Sequence, residues 1–530
     1  MSAATTTMSG APPFPPAAAD RIAPKRLFAF LIMVFGMFMS ILDIQIVSAS
    51  LSDIQAGLSA SSNEVSWVQT AYLIAEVIAI PLSGFLSRAL GTRMLFAISA
   101  AGFTLASLMC GFTSSIEQMI LWRAIQGFLG AGMIPTVFAS AYTVFPRSKF
   151  HIVAPIIGLV ATLAPTVGPT VGGYITDAMS WHWLFFINVV PGIGITLGVL
   201  ALVDFDEPHL ELLDHFDWWG LSFMAGFLGS LEYVLEEGPR NDWFSDDSIA
   251  ICAVVCVFSA VAFFWRVLTA REPIVDIRAF SNRNFALGSM FSFCLGIGLY
   301  GLTYLYPRYL AEVRGYSAMM IGETMFVSGV AMFVMAPIVG RLMTKVDLRI
   351  LIALGLVLFA SGTWLMTSIT RDYDFYELLF PQILRGMGMM LAMVPVNNIA
   401  LGTLAPDRLK NASGLFNLTR NLGGALGLAL INTALDDRTD FHISRLHDKV
   451  TWGNAKAVET INMFAQKFQG MGDASMMALK QFNQIVHRQA VVMGFGDSFF
   501  LLSCFYLLLS LMVLLLSKPS NAAGAGGGGH

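Results

Sequence analysis

Apolar runs about as long as a bilayer core is thick dominate this chain. Bounded by polar, Gly or Pro residues, fourteen of them lie near residues 27–50, 65–86, 94–112, 119–145, 151–175, 184–203, 218–235, 249–268, 285–309, 320–343, 350–369, 378–401, 414–435 and 497–517. A helix needs about 20 mostly apolar residues to cross the hydrocarbon core. The expected fold class is therefore an all-α integral membrane protein with 14 transmembrane helices. Only 12% of residues are charged and 56% are hydrophobic, whereas soluble domains carry about 25% charge. That excludes a soluble enzyme, and 31 Lys+Arg against 35 Asp+Glu leave no basic face for nucleic acid. All five cysteines lie in apolar runs without a metal-ligand spacing, so no metal site is expected.

Lys and Arg sort onto alternate connections. One side holds Arg21, Lys25, Arg26, Arg88, Arg93, Arg147, Lys149, Arg266, Arg271, Arg278, Arg283, Arg341, Lys345, Arg349, Arg408, Lys410 and Lys518, and the other only Arg240, Arg308, Arg314 and Arg371 in its short loops. The positive-inside rule then puts both termini in the cytoplasm. Residues 204–217 are anomalous, belonging to the basic side yet acidic and lacking Lys and Arg. Residues 1–26 read as a disordered cytosolic tail and 518–530 as a flexible one. The first span is too long for a cleaved signal and contains Asp43, so it reads as uncleaved.

Two patterns repeat. Pro81-x-x-Gly84-x-Leu86, with Arg93 seven residues on, matches Pro337-x-x-Gly340-x-Leu342 with Arg349. Arg123 followed by Gln126-Gly127 and Pro135 matches Arg385 followed by Gly386, Gly388 and Pro395. The shift is eight helices, as two six-helix bundles separated by two inserted linker helices would give. The expected units are 27–203, a linker 204–284 and 285–517, the last including an outer loop 436–496. Repeated halves around a midplane cavity are a transporter architecture. No phosphate-cradling Gly-x-x-x-x-Gly-Lys-Ser/Thr is present, so transport is expected to run on an ion gradient.

Several motifs occur in order on these spans: Leu42-Asp43-Ile44-Gln45-Ile46-Val47; Gly84-x-Leu86-Ser87-Arg88-x-x-Gly91-x-Arg93; Arg123-x-x-Gln126-Gly127; Ala164-Pro165-Thr166-Val167-Gly168-Pro169-Thr170-Val171-Gly172-Gly173; Trp181-x-Trp183-x-Phe185-x-Ile187-Asn188; and Ser413-Gly414-x-x-Asn417-x-x-Arg420-Asn421. Together they resemble the major facilitator superfamily (MFS), and within it the fourteen-span drug:proton antiporters of the EmrB/QacA group. Two positions depart from the pattern: Ser52 stands where the group usually has Pro, and Arg88 where it has Asp. The second leaves the acidic half of the group's cytoplasmic charge relay without its residue. The resemblance implies export of hydrophobic compounds across a cell inner membrane by alternating access, driven by the proton-motive force without a cofactor. In Gram-negative members of the group the outer loop docks a periplasmic membrane-fusion adaptor leading to an outer-membrane channel. A proton-coupled importer of a small metabolite and a non-transporting assembly partner are the alternatives, and the span 5 glycines argue against import.

Charges within a span are costly unless paired or facing water, which makes them functional candidates. Asp43 lies about seven residues, roughly 10 Å, from the outer end of its span, and Arg123 lies at a similar depth in span 4. Protonating such an Asp releases its Arg, a usable proton switch. Glu76, near the midplane with no basic neighbour in sequence, suits a proton carrier or a contact for a cationic substrate. Glu232 is similar but falls in the inserted pair, and a lesser role is expected of it. Expected substrate contacts are Phe35, Met39, Gln69, Tyr72, Met393, Asn397, Asn398, Phe416, Asn417 and Arg420. Expected gate residues are Gly84, Arg88, Gly91 and Arg93, with Pro165, Gly168, Pro169, Gly172 and Gly173 allowing close helix approach and local flexibility.

Overall fold

The computed structural model describes residues 23–270, 273–451, 453–470 and 473–516. The tails expected before residue 27 and after residue 517 fall largely outside them, as do Arg21, Arg271 and Lys518 of the charge pattern.

The described residues are helical, with no strand among them. We number the main helices α1 (Pro24–Ala49), α2 (Ser62–Gly111), α3 (Ile116–Gly130), α4 (Met133–Val144), α5 (Phe150–Ala178), α6 (Val189–Leu202), α7 (Trp218–Glu237), α8 (Asp247–Thr269), α9 (Arg283–Tyr309), α10 (Ala318–Leu342), α11 (Leu348–Trp364), α12 (Phe375–Leu401), α13 (Pro406–His447), α14 (Ala455–Lys467) and α15 (Ala474–Met512). Among the described residues ten helical stretches are long and apolar enough to cross a membrane. Splitting α2 and adding α7, α11 and α13 accounts for all fourteen apolar runs. The split falls at Gly91, whose φ of 77° is a left-handed value that favours glycine. Helix starts carry the capping chemistry their sequences provide: Ser61 with Glu64 and Asp374 with Glu377 form capping boxes.

Two seams join the six-helix halves. In the first, α5 lies along α10 over its whole length, from His151 beside Gly340 to Thr170 beside Gly322. In the second, α2 meets α13 only at the basic end. There a Cβ on Gly84 would stand 2.9 Å from Asn411 Cα and 3.0 Å from Lys410 O, so only glycine allows the backbones this close. Toward the opposite end α2 and α13 diverge, and α7 fills the gap. Its Gly229 packs on Ile74 and Ile78, its Tyr233 ring stacks on Trp67 at 5.5 Å, and Thr70 Oγ1 donates to Glu237 Oε1 at 2.9 Å. Toward α13, Leu235 clusters with Ala425 and Ala429. Its partner α8 turns Ile251, Val254, Val257, Phe258, Val261 and Leu268 outward. The inserted pair is thus not a bare linker, since α7 is a wall of the molecule.

The outer segment 436–496 is largely helical, including the stretches near 456–468 and 474–486 whose sequence has helical periodicity. Helix α13 runs on to His447, α15 starts at Ala474, and α14 packs on α15. Asp497 ties the extensions together, accepting from Arg438 Nε at 2.6 Å and bonding His442 Nε2 at 2.8 Å.

Candidate functional site

Asp43 and Arg123 are both fully buried and meet directly, Arg123 Nη1 donating to Asp43 Oδ2 at 2.6 Å. Their equal depth on α1 and α3 is what the helical rise requires. The second carboxylate oxygen accepts from Asn188 Nδ2 at 2.7 Å and Gln126 Nε2 at 3.3 Å. Arg123 also donates to Gln126 Oε1 at 2.8 Å and Val68 O at 3.2 Å, and its Cζ lies 4.2 Å from the Tyr72 ring centroid. A buried charge pair is costly unless its remaining lone pairs and protons are satisfied; Gln126 and Asn188 satisfy the Asp43 carboxylate, while Arg123 Nη2 has no hydrogen-bond partner among the described residues. Sequence reasoning missed both as site residues, although each stands inside a motif it had singled out.

Glu76 lies apart from this pair and lines a narrow cleft of ≈ 60 Å³ between α1, α2, α7, α9 and α13. Gln69 lines it too, together with Glu232, Glu236, Tyr300 and Asn421. Sequence reasoning gave Glu232 a minor part because nothing in a local sequence says which gap an inserted helix fills. The cleft leads to a wider vestibule bounded by Arg240, Tyr304, Arg308, Glu312, Asn432 and Asp436, at the end away from the basic one.

The other expected substrate contacts are placed elsewhere. Phe35 is 50% exposed on the outer surface of α1, stacked on Phe38 at 6.3 Å, because its direction on the helix points away from the bundle. Met39 and Tyr72 are buried in the first half. Met393, Asn397, Phe416, Asn417 and Arg420 are buried in the second, and Asn398 is half-buried nearby. Asn397 leaves both amide atoms without a hydrogen-bond partner. Arg420 donates to Asn417 Oδ1 at 2.5 Å and lies 5.2 Å from the Phe138 ring. This group therefore sits within the sealed half of the seam and not in the open cleft.

On α5, Pro165, Gly168, Gly172 and Gly173 are buried and Pro169 is half-buried. Gly168 faces Gln45, and a Cβ on Gly172 would come within 2.7 Å of Ile46 O, so this face holds α5 against α1.

At the basic end, Arg88 stacks toward Phe85 at 5.7 Å and Arg93 donates to Leu200 O. The acidic group there comes from the anomalous 204–217 segment. Asp206 accepts from Thr92 N at 2.9 Å and Thr92 Oγ1 at 3.1 Å and pairs with Lys410 Nζ of the other half. Lys410 also donates to Ser87 O at 2.9 Å. The acidic segment on the basic side thus supplies, through Asp206, an ion pair between the two halves at the loop where Arg88 replaces the group's acid.

Comparison with known proteins agrees with this geometry. Residues 33–428 match the Major Facilitator Superfamily. The chain is 41% identical to the colistin resistance protein EmrB of Acinetobacter baumannii, over 90% of this chain and 94% of that protein. It is 32% identical to the multidrug export protein EmrB of Escherichia coli K12 (93% and 96% covered), and 28% identical to the fatty acid resistance protein FarB of Neisseria gonorrhoeae (93% and 96% covered). Among solved structures it resembles the human organic anion transporter MFSD10, with TM-score 0.55, 13% identity and 92% of this chain and all of that one covered. The proton:xylose symporter XylE gives TM-score 0.56 at 13% identity, with 93% and 96% covered; at that identity both likenesses speak to fold alone. The chain belongs to the major facilitator superfamily, within its EmrB group, and is a multi-pass membrane transporter.

Proposed function

We propose that this protein is a multidrug efflux transporter exchanging protons for hydrophobic compounds by alternating access. The observation that carries the reading is the buried Asp43–Arg123 pair in a bundle whose cleft opens at one end and is sealed at the other. Protonating Asp43 removes the charge that Arg123, Asn188 and Gln126 converge on. The freed guanidinium then seeks other partners, which favours a different packing of α1, α3 and the Asn188 turn. Glu76, facing the cleft, is a second place for a proton. The names of the relatives, citing colistin, fatty acids and multiple drugs, support a broad range of amphipathic cargo. One proton driven by ~150 mV supplies ~3.5 kcal/mol, enough to sustain a gradient of a neutral substrate of about 300-fold.

By the charge distribution the basic end is cytoplasmic, the protein sits in the inner membrane with both termini inside, and the cleft faces outward. The helical crown built from α13, α14 and α15 then projects into the periplasm, where it suits docking of a membrane-fusion adaptor that continues to an outer-membrane channel. The test is proteoliposome transport with an imposed proton gradient. Gradient-dependent export is expected, lost in Asp43→Asn and impaired in Glu76→Gln. Equal transport after collapse of both pH difference and voltage would overturn the reading, as would undiminished coupling in both variants.

A further inference from the structure

Three carboxyl side chains share the cleft between α2, α7, α9 and α13: Glu76 from α2, and Glu232 and Glu236 one turn apart on α7. Glu76 is 2% and Glu232 4% exposed. Each turns one carboxyl oxygen, Oε1 of Glu76 and Oε2 of Glu232, to a place where it has no hydrogen-bond partner among the described residues. Glu232 lies near enough to Glu236 and Glu76 for their charges to act on it. Among the described residues no Lys or Arg lines this cleft. Arg123 and Arg420 act on Glu76 through space from outside the lining, and Arg240, in the adjoining vestibule, acts on Glu236. An ionised carboxylate is costly when buried without a partner; such a group is relieved either by holding a proton or by a cationic partner that enters and takes the proton's place.

The chemistry of the walls says which partner. The carboxyls are not gathered closely enough to hold a metal ion. Around them stand Ile44, Leu73, Val77, Ala425 and Leu428, with the Tyr300 ring and the amides of Gln69 and Asn421. Apolar walls, an aromatic face and carboxyl groups that can give up a proton as a cation arrives suit a positive charge carried on a hydrophobic body. We infer that the inserted helix α7 is part of the substrate site, its Glu232 and Glu236 joining Glu76 to bind a lipophilic organic cation. The inference rests on the transporter reading above and extends it to a helix outside the two six-helix halves.

The test is equilibrium binding to purified full-length protein without any gradient, so it is independent of proton coupling. The probes are tetraphenylphosphonium and its neutral analogue triphenylphosphine oxide. Glu232→Gln and Glu236→Gln are each expected to weaken the cation roughly tenfold, the scale of one charge-assisted contact, and to leave the neutral compound within about twofold. Glu232→Asp retains most of the cation affinity. Glu237→Gln, which alters a carboxyl held by Thr70 and outside the cleft lining, leaves both unchanged. Glu236 is only half-buried, so its variant carries the test should the Glu232 variants not elute as folded protein. Equal loss for both probes, no loss for the cation, or no saturable cation binding by the unaltered protein overturns the inference. Cation binding that depends on these carboxyls while liposome transport ignores the proton gradient would sink the exchange reading and leave this one standing.

Discussion

The strut between Asp206 and Lys410 makes a quantitative prediction about how the basic end stays shut. The two side chains are 22% and 18% exposed, so their attraction is partly screened, and we take its net worth as about 1 kcal/mol. Asp206→Asn leaves one oxygen to accept from Thr92 N and reduces the contact with Lys410 to that of a neutral dipole. A loss of about 1 kcal/mol shifts the balance between sealed and open basic ends about fivefold. Lys410→Met removes the bond to Ser87 O as well, for about 2 kcal/mol in all and a shift of about thirtyfold. Spin labels at exposed Arg147 in one half and Arg408 in the other report the opening as a growing long-distance population in double electron–electron resonance. The order unaltered < Asp206→Asn < Lys410→Met is expected. If Lys410→Met leaves the distance distribution unchanged, backbone packing alone holds this seam and the electrostatic account is wrong.

Three further outcomes follow from the same contacts. Gly84→Val sets a side chain against Asn411 Cα and Lys410 O, where overpacking costs about 1–3 kcal/mol; the same distance measurement should show the basic end opening, with the protein still membrane-inserted. Asp43→Asn strands the Arg123 guanidinium and should cost about 3–5 kcal/mol of stability, while Asp43→Asn with Arg123→Met recovers much of the melting temperature without recovering proton-driven transport. Gly172→Leu drives α5 from α1 at Ile46 and should lower thermal stability by about 1–3 kcal/mol; an unshifted melting curve would show that the α1–α5 contact is not tight.

What the sequence disclosed and what it withheld divide along a physical line. Apolar run length and charge sidedness are local quantities, so the spans and the acidic segment 204–217 could be read directly. The matched depths of Asp43 and Arg123 follow from a fixed rise per residue. Gln126 and Asn188 could be seen as motif residues, but their convergence on one carboxylate depends on how α1, α3 and the Asn188 turn pack. Likewise Arg88 and Asp206 each stood out, yet the chain brings Asp206 to Thr92 and Lys410 only by folding residues 204–217 beneath the α2–α13 seam. The largest difference concerns α7. Its composition shows a span, while its position is set by the divergence of α2 and α13, a property of two other helices. Phe35 erred for a simpler reason: depth along a helix is legible, but which side faces the bundle depends on the neighbours.

The halves also differ in the kind of charge they bury, and this bears on how conformation and protonation are linked. The first half pairs Arg123 with a carboxylate. In the second, Arg385 has Ser328 Oγ at 2.8 Å and the Tyr306 ring at 4.8 Å, and Arg420 has Asn417 and the Phe138 ring; neither forms an ion pair among the described residues. Guanidinium does not give up its proton in proteins, so these are fixed charges held by neutral acceptors and aromatic faces, whereas the cleft's carboxyls can change state. Arg420 acts through space on Glu76, and the separation of the two is a quantity that rocking of the halves must alter. Conformation and the charge on Glu76 are then thermodynamically coupled, and by reciprocity each biases the other. Arg420→Gln keeps a donor for Asn417 but removes the fixed charge. It should leave compound binding in place and lower the number of protons moved per substrate, measured as paired proton and drug fluxes in liposomes. An unchanged flux ratio would mean that the second half contributes no field to coupling, and that Asp43 and Arg123 carry the exchange alone.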